Sequence, residues 1–542
     1  MGRGSTIRRN SLPMDDILET IYPKCRGLID PETWSGLEIA LEGDTSRENF
    51  RNGLLRLSES GGLPAYLPEI ARIEEGLNRV KAWANGGAGH PDRMCVNPSL
   101  EILEVTWRQL ASFFGSDGDV SDPVPEAGEE MLLLWKDMET GDTLIGPASE
   151  EDLLALKIVI EDLDPVEIVQ GSSIPVGALD RALDRAVSRG LLLRPPSLIR
   201  RPSTHFQTNP ALEEDYASSP VFTLQWHVTQ ACDLHCKHCY DRSDRSPLKP
   251  DQAISILDDF RDFCRSRHVK AQVSFTGGNP LLYPHFDELY RAAAERGLAT
   301  AILGNPASRK RLEDLILIQH PIFFQVSLEG LREHNDDIRG PGHFDRTMSF
   351  LEILKDLNIY SMVMLTLTRE NMGAVLPLSE VLRGKVDYFT FNRLSMVGEG
   401  ADLRLPEVDD YVAFLREYIE ACRENPVMGL KDNLINILHH REDVPLTGGC
   451  TGFGCGAAFN FIALLPDGEV HACRKFPSYI GNIFEQDFSA LYESEPARQY
   501  RSGSRACSAC AIRPVCGGCL ASTYSHGLDV FGDRDPMCFM GK

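Results

Sequence analysis

Cys232-Asp-Leu-His-Cys236-Lys-His-Cys239 puts three cysteines on one short stretch in the spacing CxxxCxxC. A strand-like run, Phe222 to Val228, precedes it, so the thiols fall in the loop leaving a strand end. Three thiolates on one loop can hold three irons of a [4Fe–4S] cluster and leave the fourth iron open to a small molecule. The same spacing also serves a zinc knuckle or a redox pair.

Eight further cysteines lie near the C-terminus: Cys450, Cys455, Cys473, Cys507, Cys510, Cys516, Cys519 and Cys538. Between them, Phe461 to Cys473 reads as a hairpin turned at Pro466-Asp467-Gly468, which carries Cys473 back beside Cys450 and Cys455. Eight thiolates make two sites of four. Zinc ribbons use the same donors, because four thiolates alone do not distinguish zinc from iron–sulfur. Cys25, Cys95, Cys264 and Cys422 stand apart and read as ordinary half-buried thiols. Fifteen cysteines without an export signal indicate metal ligands in a reducing cytosol rather than disulfides.

These residues need elements to position them. From 222 to about 396 the sequence alternates strand and helix, with strands expected at 222–228, 271–276, 299–303, 322–328, 360–367 and 387–394. Repeated βα units of one hand build a parallel sheet that curls toward a barrel, with ligand-facing residues on the loops after the strands. After the second strand comes Thr276-Gly277-Gly278-Asn279-Pro280, whose glycines let backbone come close to a ligand. After the fourth comes Val326-Ser327-Leu-Glu-Gly330, with Arg339-Gly340 beyond.

Upstream, residues 14 to about 115 read as helical, with Ile70, Ile73, Leu77 and Val80 forming one apolar stripe. Asp117 to Gly128 reads as a linker. Residues 131–195 read as a compact module. Met131–Trp135 and Thr143–Ile145 form a hairpin, Ser149 and Asp152 start a helix, Ile174 to Arg189 forms another, and Leu191-Leu-Leu193 closes as a strand.

The net charge of −24 over 542 residues argues against nucleic acid or an anionic membrane as partner and mildly favours a cationic or neutral substrate. No apolar run reaches the ~18 residues of a membrane span, and the N-terminus lacks a signal-peptide core. A cytoplasmic location follows as the expectation.

The CxxxCxxC loop with Tyr240 after it resembles the signature of the radical S-adenosylmethionine (SAM) enzymes. The resemblance implies that the iron left open by Cys232, Cys236 and Cys239 chelates SAM, which an electron cleaves to methionine and a 5′-deoxyadenosyl radical. It implies an α/β fold: an open (β/α)6 partial TIM barrel, residues 218–400, with a C-terminal SPASM extension, residues 401–542. Gly277, Gly278 and Asn279 match a Gly-Gly-Glu-Pro motif that grips the SAM ammonium, with Asn279 in place of the acid. Losing the charge-assisted part of that bond costs roughly 1–2 kcal/mol. Ser327 and Arg339 match residues contacting the SAM carboxylate and ribose, His238 takes the aromatic place beside the adenine, and Leu394 packs on that ring. The C-terminal cysteines resemble the SPASM pattern of two auxiliary [4Fe–4S] clusters. Cys450, Cys455, Cys473 and Cys519 would hold one, and Cys507, Cys510, Cys516 and Cys538 the other. Cys516 and Cys519 are two residues apart where the pattern usually has three.

Residues 130–198 resemble the winged-helix peptide-recognition element of peptide maturases, which binds a leader peptide as an added strand, and residues 1–120 a helical accessory domain. The layout is similar to thio(seleno)oxazole maturases of selenobiotic-type peptides. It implies three [4Fe–4S] clusters, SAM, a precursor peptide recognised through its leader, and an electron donor such as flavodoxin or ferredoxin. Two other readings stay open. A formylglycine-forming anaerobic sulfatase maturase would place Asp where this chain has Arg474, and a non-enzymatic iron–sulfur or zinc scaffold would have no need of a SAM cleft.

Overall fold

The computed structural model describes residues 14–41, 46–84, 91–114, 125–169, 176–202, 206, 212 and 216–541. The basic N-terminal stretch and most of the expected linker lie outside the described residues. The chain divides into two compact units, Met1–Ile174 with Leu179–Pro196, and Pro175–Ala178 with Ser197–Lys542.

The first unit is built around a sheet that is apolar on both faces. Helices α1 (Met14–Ile21), α2 (Pro23–Leu28), α3 (Pro31–Ala40), α4 (Arg47–Glu59) and α5 (Leu67–Ala82) come first. The expected stripe of α5 faces inward, with Ile70, Ile73 and Val80 buried. Strands β1 (Cys95–Val96), β2 (Glu101–Arg108), β3 (Glu126–Lys136) and β4 (Thr143–Pro147) follow. β2, β3 and β4 form an antiparallel sheet in that order. Along β3 the side chains alternate between two cores: Leu132 and Leu134 join the α1–α5 core. Leu133 and Trp135 join a second core with α6 (Glu150–Ile160) and α7 (Val176–Ser188). Ser149 caps α6 in a reciprocal capping box with Asp152, as expected.

One expectation changes here. Cys95–Val96 and Glu101–Arg108 are strands rather than helix, because their backbone donors and acceptors pair with β5 (Leu192–Leu193) and with β3. The closing strand thus pairs with Cys95–Val96. The helices and the hairpin pack on one shared sheet, β2–β3–β4.

In the second unit the six expected strands form as β6 (Val221–Thr229), β7 (Lys270–Gly277), β8 (Ala299–Leu303), β9 (Phe323–Ser327), β10 (Ser361–Leu367) and β11 (Tyr388–Arg393). All pair in parallel and in sequence order. Amphipathic helices connect them, such as Pro250–Ser266, which buries Leu257 and Phe260 against the sheet. The array stays open, because β6 pairs on its other side with β12 (Phe461–Leu464) rather than with β11. β12 and β13 (Glu469–His471) form the expected hairpin, and β14 (Tyr479–Asn482) extends it. One mixed sheet thus joins the barrel strands to the C-terminal cysteine region.

Candidate active site and cysteine cavities

The cysteine loop leaves β6 and rests on the end of β7. Gly278 N–H donates to the Thr229 carbonyl and Asn279 N–H to that of Ala231, each at 2.8 Å. Gly277 has φ +133°, and a Cβ there would lie 2.2 Å from the Thr229 oxygen; at Gly278 it would lie 2.3 Å from the Ala231 oxygen. Both glycines are therefore required by the approach of the cysteine loop itself. Arg245, further along the loop, pairs with Asp467 and, at 2.9 Å, with Glu469 of the β12–β13 hairpin.

A cavity of about 500 Å³ opens above these strand ends, a size suited to a small-molecule ligand. Cys232, Cys236, Cys239, His238, Gly277, Gly278, Ser327, Arg339 and Leu394 all line it. Asn279 does not; it is buried, its Oδ1 accepts the Leu281 N–H at 3.3 Å, and its Nδ2 donates to Asp233 Oδ1 at 3.1 Å. Both ends of the Asn279 amide are thus engaged within the loop, behind the residues that line the cavity.

Glu329 organises the opposite wall, and the sequence reading passed over it. Its fully buried carboxylate accepts Arg339 Nη2 at 2.6 Å, Arg339 Nε at 2.9 Å and the Thr366 N–H at 2.7 Å. His238 Nε2 lies 2.8 Å from Glu329 Oε1, out of hydrogen-bond alignment. Burial raises the Glu329 carboxyl, but the charges of His238 and Arg339 outweigh it and bring the group down to about 2. Arg339 also reaches Cys236 Sγ at 3.7 Å. The signal was a glutamate at a strand end with an arginine ten residues on. Asn305, after β8, was missed as well; it lines the cavity and donates to Asp233 Oδ1 at 2.6 Å.

The other cysteines sort into two cavities. Cys450, Cys455, Cys473 and Cys519 line one of about 120 Å³. Cys507, Cys510, Cys516 and Cys538 line one of about 340 Å³. Burial pushes the Cys455 thiol up to about 12 and those of Cys473 and Cys507 to about 11, with neighbouring thiols of the same cavity adding to the rise. Buried polar side chains fix these loops. Arg201 donates to the carbonyls of Phe453 and Cys455 at 2.7 Å. Asn433 accepts the Cys450 N–H at 2.7 Å and donates to the Gly518 carbonyl at 2.6 Å. Asp535 accepts the Cys519 N–H at 2.8 Å.

Asn392, Arg393, Arg474 and Lys475 line both the 500 Å³ and the 120 Å³ cavities. Within that shared wall Arg393 is buried and pairs with Asp535 at 2.8 and 2.9 Å and with Asp432 at 2.8 Å. All fifteen cysteines are free thiols. Among the described residues no group of three His, Cys, Asp or Glu side chains is arranged for a single metal ion. Cysteine thiols line the three cavities in sets of three, four and four, and thiolate is the donor that iron–sulfur clusters use.

Residues 226–380 match the radical SAM superfamily, and residues 455–517 match SPASM, an iron–sulfur cluster-binding domain. The chain carries both domains and is a radical SAM enzyme. Its relatives include an AdoMet-dependent heme synthase of Methanosarcina barkeri, 26% identical over 58% of this chain and 95% of that one. Another is the mycofactocin maturase MftC of Mycobacterium ulcerans, 29% identical over 59% of this chain and 88% of that one. The crystal structure of Streptococcus suis SuiB bound to precursor peptide SuiA shares the fold, with a TM-score of 0.50 and 17% identity. That match covers 76% of this chain and 96% of SuiB.

Proposed function

We propose that this enzyme modifies a ribosomally made, cysteine-containing precursor peptide. The observation that carries the radical chemistry is the gathering of three thiols, Gly277, Gly278, Ser327 and Arg339 around one cavity at the carboxyl ends of parallel strands. Cys232, Cys236 and Cys239 would hold the SAM-binding [4Fe–4S] cluster. The two four-thiol cavities would hold the auxiliary ones, about twelve irons in all. A [4Fe–4S] cluster held by those three cysteines would supply the electron for reductive SAM cleavage and so the hydrogen-abstracting chemistry.

The chain's own residues bind and orient. Glu329 holds Arg339 at the cavity wall, with His238 beside it, so that Arg339 would present its remaining donors to the SAM carboxylate. Ser327, which lines the same cavity, would donate beside it, and buried Leu394 would offer an apolar surface for the adenine. Lys475 and Arg474 bring positive charge to the wall shared with the first auxiliary cavity. Arg474 stands where a sulfatase maturase would carry an acid, which disfavours that reaction.

A peptide substrate is supported by the likeness to SuiB, whose share of this chain exceeds the second unit alone, and by the maturase relative. In the first unit β4 is an edge strand, paired among the described residues with β3 only. Pro147 sits on it, as edge strands tolerate. An added peptide strand would find backbone partners along such an edge, with side-chain pockets setting specificity. The finer assignment, a thio(seleno)oxazole maturase fed by flavodoxin or ferredoxin, rests on the domain layout alone.

The test uses short precursors encoded beside the gene. Because the sheet is shared, the whole unit up to Pro196 must be removed rather than residues 131–195. The truncated enzyme should lose peptide modification and keep uncoupled SAM cleavage. Modification at the full-length rate would contradict the leader-binding role, and turnover of a porphyrin in place of any peptide would favour the haem-synthase reading.

A further inference from the structure

Deepening the auxiliary-cluster reading above and resting on it, we propose that Arg201 and Arg513 are the counter-charges of the two C-terminal clusters and raise their reduction potentials. The two four-thiol cavities adjoin. Cys516 lines the second and Cys519 the first, with only Gly517 and Gly518 between them in the chain. Cys455 of the first cavity and Cys507 of the second also line one gap of about 20 Å³, and Arg201 and Arg513 line it with them. Arg513 lines the second cavity as well.

Both arginines are buried, at 9% and 5% exposure, and their donors go to neutral groups. Arg201 Nη2 donates to the carbonyls of Phe453 and Cys455 at 2.7 Å, and Nη1 to that of Arg501 at 3.3 Å, while Nε has no partner. Arg513 donates to the Ser502 carbonyl through its side chain and to the Cys510 carbonyl through its backbone N–H, at 3.1 Å. Both guanidiniums rest on the Phe206 ring, 4.6 and 4.7 Å from its centroid, and Arg201 also lies 4.1 Å from that of Phe459. Carbonyls and ring faces hold a guanidinium without cancelling its charge. Among the described residues no carboxylate pairs with either arginine, and a buried cation left without an anion is costly. The anions at hand are thiolates. Burial lowers both arginines, and the charge opposing it most is the Cys455 thiolate for Arg201 and the Cys507 thiolate for Arg513. Reduction adds negative charge to a cluster, so a fixed cation beside it favours the reduced form. Both auxiliary sites are thereby biased toward taking up an electron.

The experiment follows the clusters by electron paramagnetic resonance during a redox titration of full-length reconstituted protein, with iron content determined in parallel. The Cys232→Ala/Cys236→Ala/Cys239→Ala background leaves only the two auxiliary signals. In Arg201→Gln and in Arg513→Gln, at least one cluster should be about ten-fold less reduced at a fixed potential, a fall of about 59 mV for one electron, with iron unchanged. Arg513→Lys keeps the charge and should stay within about three-fold of the background protein. Arg513 makes fewer contacts than Arg201, so its variants decide the matter should Arg201→Gln lose iron. Titrations of Arg513→Gln that overlie the background overturn the inference. So does a shift in Arg513→Lys as large as in Arg513→Gln, or loss of iron from both, which would make Arg513 a structural pin. If the background protein holds no C-terminal iron, the auxiliary-cluster reading fails, and this inference with it.

Discussion

The cavity at the strand ends of the barrel and the two C-terminal cavities use the same ligand atom for different ends. The first offers three thiols and about 500 Å³, and its remaining wall is a set of donors and charges: Ser327, Arg339 and Asn305. The others offer four thiols each in about 120 and 340 Å³, with loops tied down by Arg201, Asn433 and Asp535. A site short of one protein ligand can exchange a small molecule, whereas a fully ligated one holds or relays charge. The count of thiols per cavity, rather than the number of cysteines, separates the chemistry from its support.

Breaking the shared wall should have the largest effect. Arg393→Ala strands the carboxylates of Asp432 and Asp535 and should cost about 3–5 kcal/mol of stability, read from urea unfolding. Because Asp535 holds the Cys519 N–H, iron should be lost first from the C-terminal cavities. A variant as stable as the parent would show that the cavities do not depend on this contact.

On the open side, Glu329→Ala leaves Arg339 without its carboxylate. It should weaken SAM binding by about ten-fold or more and lower stability by up to about 3 kcal/mol, with C-terminal iron retained. Loss of C-terminal iron alone would reverse the division of labour drawn above.

A smaller effect should separate the barrel from the cysteine cavities by pH. Burial, with the charges of Arg339 and Arg346, lowers His343 to about 4, against weaker opposing pulls from Glu329 and Asp336. Its folded-state value lies below the unfolded one of about 6.5, so its contribution is complete above that pH and is lost as pH falls toward 4. At pH 5 His343 should account for a loss of about 2 kcal/mol relative to pH 7.5, and His343→Gln should remove that part of the profile. An unchanged pH profile in that variant would mean that His343 is not buried neutral.

Much of this was legible in the sequence because it is local. The six βα units each carry their own periodicity, and the cysteine spacings place their loops. What was not legible depends on pairing across long separations. Glu101–Arg108 pairs with Glu126–Lys136, further along the chain, so its extended character was hidden behind the helical pattern upstream. One signal was available: Met131-Leu-Leu-Leu-Trp135 does not alternate, as a strand buried on both faces would not. It called for apolar layers on both sides of the hairpin, and the structure supplies them. Glu329 was missed for a related reason, since a lone acid reads as solvated until the fold brings Arg339 to it.

The central claim, that the three-thiol cavity alone activates SAM, meets its most direct test in one comparison. Protein purified and reconstituted without oxygen is set beside its Cys232→Ala/Cys236→Ala/Cys239→Ala variant, with iron, zinc and SAM cleavage measured in both. The parent should carry about twelve irons, and the variant about eight with no SAM cleavage. Zinc in place of iron in the parent, or SAM cleavage surviving in the variant, would contradict the account.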